Sequence, residues 1–207
     1  KLKNIHDIPG EISSQERFLF PEARALLKAP KQTRINYVKN GFFVNYRYKK
    51  IIYQEFWDLF DQPIGPRMDG LLLNSPTNNG KTTLVKRFIE DNERKVKGKI
   101  LYVETPERTT LKEFYAETLN VLGYPVTSTR STGDLRRKIL RGLKEQKVKI
   151  IFFDEIHNLL DSRRDHKKDI LNGLKSLNNK AEIPIVLVGI DTAVTILGED
   201  EQVADRY

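Results

Sequence analysis

The sequence predicts an α/β fold in which a parallel sheet is covered by helices on both faces. Three observations carry that expectation. From Gly70 onward short apolar runs alternate with amphipathic stretches, a Gly-Lys-Thr loop follows the first run, and a later run ends in two adjacent carboxylates. Parallel strands need crossover connections, and helices supply them while shielding the sheet from water.

The first strand is the run Leu71-Leu72-Leu73, followed by a loop and a helix from about Lys81 to Asn92. Lys99 to Glu104 reads as a second strand and Leu111 to Leu122 as its helix. A helix from Gly133 to Gln146 leads into the strand Lys149 to Asp154, and a helix around Asp165 to Asn178 precedes a fourth strand, Pro184 to Gly189. Residues 1–66 differ, with prolines at positions 9, 21, 30, 63 and 66, and are expected to form a mostly helical N-terminal extension. Within it, Thr33 to Val38 and Tyr48 to Phe60 carry apolar residues at helical spacing, among them Ile51, Ile52, Phe56, Leu59 and Phe60. The core is expected to occupy residues 67–207.

A chain of 207 residues, 39% hydrophobic, is long enough for one sizeable core with an appendage and short for two full domains. It has no cysteine, which excludes disulfides and thiolate metal sites, and His6, His157 and His166 have no zinc-binding spacing. No apolar run reaches the roughly 18 residues that a membrane helix needs, and Lys1 to Gly10 lacks a signal-peptide core. A soluble, cytoplasmic protein without membrane contact is therefore expected. The net charge of +8 suits a polyanionic partner such as nucleic acid, and equally a soluble lysine-rich surface.

The chemistry concentrates in Ser75-Pro76-Thr77-Asn78-Asn79-Gly80-Lys81-Thr82-Thr83, a Walker A (P-loop) pattern with serine at its first glycine. Such a loop turns backbone N–H groups around phosphates at the positive end of the next helix, Lys81 adds a charge, and Thr82 offers a hydroxyl to Mg²⁺. An ordinary capped helix start is the plainer alternative. Serine fits the first position if its φ stays negative. Lys149 to Glu155 completes the arrangement as a Walker B strand: Asp154 for Mg²⁺, Glu155 to orient or deprotonate a water. Singly, Asp-Glu after an apolar strand also serves as a helix cap. The strand Ile100 to Glu104 between the two motifs points to the additional-strand class of P-loop ATPases rather than the kinase-like one. His157 beside these carboxylates reads as a helix-start residue, having no nucleophile or metal pair.

The runs Pro76 to Thr83, Phe153-Asp154-Glu155-Ile156-His157-Asn158-Leu159-Leu160, Ile183 to Gly189 and Asp200 to Tyr207 resemble the TniB/TnsC family of transposition regulators, which are AAA+ ATPases. The resemblance covers about residues 33–207. It implies ATP and Mg²⁺ as cofactors and a homo-oligomer, ring or helical filament, assembled on double-stranded DNA. It also implies target marking for a transposase, with a TniQ-type partner choosing the site. Carried over by position, Arg206 is an arginine finger acting with Lys81 and Glu155 in catalysis. Arg108, Thr109, Thr127, Ser128 and Arg130 face DNA phosphates, and Tyr46 and Arg47 approach the base. The alternatives are a surface role for Arg206 and core packing for Tyr46; Arg136, Arg137 and Lys138 either extend the DNA face or form a solvated helix face. Two departures stand out. Ile190 occupies the sensor position where the family pattern has threonine; Asp191 and Thr192 are neighbouring polar substitutes, and slow hydrolysis is implied if neither takes that place. The helical lid usual in AAA+ proteins is expected to be absent from this chain. The alternative function is a P-loop NTPase that regulates or remodels a protein partner rather than DNA.

Overall fold

The computed structural model describes residues 24, 26–39, 47–65, 68–93, 98–107, 109–126, 131–161, 163–198, 205 and 207. Contacts divide the chain into two units, Lys1–Arg47 and Tyr48–Tyr207. In the first unit helix α1, Lys31–Lys39, follows Pro30, whose carbonyl accepts from the Arg34 N–H. Proline suits a helix start because its missing N–H would have no helical partner there. The Gln32 amide donates to Asn36 one turn on.

The second unit is built on a four-stranded parallel sheet: β1 Gly70–Asn74, β2 Lys99–Glu104, β3 Val148–Asp154 and β4 Ile185–Gly189, in the spatial order β1-β4-β3-β2. The helices are α2 Arg47–Phe60, α3 Lys81–Asn92, α4 Leu111–Val121, α5 Thr132–Glu145, α6 Arg164–Ala181 and α7 Thr192–Gly198, with a 3₁₀ turn at Ile156–Asp161. The strand that separates the two motif strands in space is β4; β2, which separates them in sequence, takes the edge beside β3. This is the additional-strand arrangement.

Alternation along β3 divides the core in two. Ile150 and Phe152 face a cluster with Phe56 of α2 and Val85 and Phe88 of α3, where the Phe56 and Phe152 rings meet edge to face at 5.0 Å. Ile151 and Phe153 face the larger cluster, closed by α4, α5 and α6. Helix α2, placed with the N-terminal extension by sequence, therefore packs into this core through Ile52, Tyr53, Phe56 and Phe60. Ile51, one position off that stripe, is 54% exposed.

Helix starts are set by side chains. Thr110 accepts from the Glu113 N–H while the Glu113 carboxylate accepts from the Thr110 N–H, and Ser131 and Asp134 repeat the same box at α5. These bonds hold the Glu113 carboxyl below its ordinary range, first through the Thr110 N–H, and the Asp134 carboxyl likewise, first through the Ser131 hydroxyl.

Candidate nucleotide site

The C-terminal ends of β1, β3 and β4 converge on one cleft, where open parallel sheets place their ligands. Its cavity of ≈ 350 Å³ is lined by Thr77, Asn78, Gly80, Lys81, Thr82 and Thr83 of the phosphate loop, Glu155 and His157 after β3, and Ile190 after β4. Asn78 and Gly80 take positive φ, 62° and 75°. Asparagine and glycine tolerate that region best. Ser75 is not among the positive-φ residues, so serine fits where the motif has glycine.

Helix α3 opens from Gly80 without a side-chain cap, unlike α4 and α5. Its first N–H groups are left for a ligand, at the positive end of the helix dipole. The Lys81 ammonium donates to the carbonyls of Ser75 at 2.7 Å and Pro76 at 3.0 Å, closing the loop around its own lysine.

Asp154 is 1% exposed, and its carboxylate is held by hydrogen bonds that it accepts. Oδ2 accepts from the Thr82 hydroxyl at 2.7 Å and the Tyr102 hydroxyl at 2.8 Å; Oδ1 accepts from the Glu155 N–H at 2.8 Å. The Thr82 contact spans 72 residues of sequence and joins the two motifs directly. A threonine hydroxyl and a carboxylate are hard oxygen donors that fit Mg²⁺ sharing its remaining positions with phosphates and water. Burial, then the bond to Asp154, pushes the Tyr102 phenol well above its ordinary range, so it stays a donor. The Lys86 ammonium sits 5.2 Å over its ring.

Glu155 has φ 54°, and its Oε2 lies 3.2 Å from His157 Nε2. This left-handed conformation turns the chain sharply after β3 and sets the direction of the Glu155 side chain. Asn158 donates through its side chain to the Thr105 carbonyl at 2.8 Å, and the Thr105 N–H donates to the Asp154 carbonyl at 2.9 Å. The segment after β2 is thus tied to the end of β3.

The structure brings Ser75 to Thr83, Asp154 and Glu155 together. Thr109 is buried, its hydroxyl donating to the Thr110 carbonyl. Tyr46, Arg108, Thr127, Ser128, Arg130 and Arg206 lie outside the described residues, as does the Arg47 side chain. Arg136 donates to Ser176, Arg137 pairs with Asp134, and Lys138 donates to the Pro125 carbonyl over the Tyr124 ring. Asp191 accepts from Asn74 at 3.3 Å, and of residues 190–192 only Ile190 lines the cavity. Sequence reasoning missed Tyr102 and the contact of His157 with Glu155; the register Tyr102↔Phe152 puts the tyrosine one strand from the motif, the only signal available.

A phosphate loop joined to a carboxylate strand, on a parallel sheet with one strand interposed, defines a P-loop fold of the additional-strand, AAA+ class. The family model described as bacterial TniB protein matches residues 34–207, and the chain belongs to that family. Among solved structures it is similar to ORC1 of Aeropyrum pernix in complex with DNA, at 19% identity and TM-score 0.63, covering 79% of this chain and 44% of that one. It is also similar to ORC2 of Aeropyrum pernix in its ADPNP–ADP complexes, at 18% identity and TM-score 0.57, covering 76% and 44%. A third is Cdc6p of Pyrobaculum aerophilum, at 16% identity and TM-score 0.57, covering 79% and 44%. The chain spans less than half the length of each of these. No curated protein matches. Among the described residues no helix is long and apolar enough to cross a membrane.

Proposed function

We propose that this chain is an ATP-hydrolysing, DNA-binding AAA+ protein that oligomerises on double-stranded DNA and marks target sites for a transposase. The single observation that carries the reading is the Thr82–Asp154 hydrogen bond, made in a member of the TniB family. It sets a phosphate cradle and a buried carboxylate at the spacing that nucleotide hydrolysis uses. The fold is shared with ORC proteins solved with DNA and with ADPNP and ADP, which supports ATP and DNA as the ligands.

In this reading the α3 N–H groups and Lys81 bind the phosphates, while Thr82 and Asp154 hold Mg²⁺. The bound ion neutralises charge developing on the transferred phosphoryl group. Glu155, turned by its backbone and held by His157, orients the attacking water. Arg206 reaches the nucleotide of a neighbouring copy, in a ring or filament, and Tyr46 and Arg47 approach the base. Arg108, Thr127, Ser128 and Arg130 meet DNA phosphates, with buried Thr109 anchoring the first of these segments. Target choice belongs to a TniQ-type partner. With Ile190 at the sensor position, hydrolysis is slow and the ATP-bound assembly long-lived.

Sedimentation with double-stranded DNA in ADP, ATP and a non-hydrolysable ATP analogue tests this, alongside Lys81→Ala. Large DNA-bound assemblies are expected with triphosphate alone, and none with the variant. A monomer under every condition would overturn the reading in favour of an NTPase acting on a protein.

A further inference from the structure

A second depression, of ≈ 450 Å³, lies at the other end of the sheet, where β3 and β4 begin. Its floor is apolar, with Leu143 of α5, Val148 at the start of β3 and Ile183 ahead of β4 all buried. Ile64 at its edge is 68% exposed. The rim carries Lys144, Lys147, Lys149 and Lys180, all exposed, against the single carboxylate of Glu182. None of these four ammonium groups has an ion-pair or hydrogen-bond partner among the described residues.

Lys144 and Lys180 stand in the last turns of α5 and α6, where a cation complements the helix dipole. Lys147 directly follows the α5 C-cap Gln146, its N–H donating to the Lys144 carbonyl, whereas Lys149, the second residue of β3, has no such role. Four ammonium groups around the one carboxylate of Glu182 leave the rim net positive, so the patch favours an incoming anion. The apolar floor restricts which anion. A DNA duplex offers phosphates but no apolar group to cover the exposed Ile64. An acidic peptide offers both, carboxylates for the rim and apolar side chains for the floor.

We propose that this depression docks an acidic segment of a partner protein, with one or two Leu, Ile or Phe side chains on the floor and Asp or Glu among the lysines. The surface faces away from the nucleotide cleft, so the partner and ATP bind together.

The test screens the full chain against a peptide array in which Asp, Glu, Leu, Ile and Phe are permuted, then titrates the best binder, fluorescein-labelled, by anisotropy. Lys147→Glu combined with Lys149→Glu reverses two of the rim charges and is expected to weaken binding by at least about tenfold. Exposed Ile64→Asp should weaken it too, and Lys81→Ala should leave it unchanged, which separates this outcome from any failure of the nucleotide reading. Thermal melts establish that each variant is folded. No retained peptide, equal affinity in the charge-reversed variant, or displacement by excess duplex DNA would each overturn the proposal, the last by making the rim a phosphate surface.

Discussion

Asp154 is buried with three donors around its carboxylate, and one of them, the Tyr102 hydroxyl, belongs to neither of the two motifs. Tyr102→Phe deletes a donor to that buried charge and is expected to cost about 1.5–3 kcal/mol in urea unfolding. A loss below about 0.5 kcal/mol would mean the bond is not kept in solution. Ile190 lines the cavity with an apolar side chain, and in the proposed function a hydroxyl there would meet the reacting phosphate. Ile190→Thr is expected to raise ATP turnover on the order of tenfold with little change in KM, measured by phosphate release. Lys81, Thr82, Asp154 and Glu155 were legible from sequence because backbone chemistry ties their spacing to a loop and a strand end. Tyr102 was not, since strand alternation predicts which face a side chain takes and not which atom its tip meets.

At the level of elements, helix starts carry readable signals. Thr110→Ala removes a side-chain acceptor from the first turn of α4 and should cost about 1 kcal/mol. The same box gives a pH dependence. Because the Glu113 carboxyl is held low in the folded chain, its contribution is present at neutral pH and is lost as pH falls below the ordinary carboxyl range of roughly 4. The difference in melting temperature between wild type and Thr110→Ala should therefore narrow in acid. Gly142 of α5 lies under Tyr124, where an added Cβ would meet ring carbon Cε2 at 2.6 Å. The ring is tethered, its hydroxyl donating to Glu145 and Lys138 lying over its face, so Gly142→Ala should destabilise by about 1–3 kcal/mol. The long helices and all four strands were predicted to within a few residues because periodicity over many residues averages out local noise. The 3₁₀ turn Ile156–Asp161 and α7 were not, being too short to show a period. The spacing admits both Ile51 and Ile52 to the α2 stripe, and of the two only Ile52 packs into the core.

Across the whole second unit, one sheet with a helix layer on each face supplies both the core and the rigid floor of the cleft. Phe152 touches that arrangement at its centre, its ring 5.0 Å from Phe56 and 6.1 Å from Phe88. Phe152→Ala should cost about 3–5 kcal/mol in chemical unfolding. The parallel sheet was predictable from alternating elements, but the place of β4 was not, because strand order is decided by crossovers that leave no local trace. That order has a consequence for synthesis. Among the described strands β1 pairs with β4 alone and β3 meets β1 only through β4, so Thr82 and Asp154 are brought to one another by a strand translated after both of them. A ribosome-bound chain paused before residue 184 would already carry both halves of the nucleotide site and still be unable to grip ATP. Competence should arrive as a late step, when β4 emerges and zips between its two neighbours.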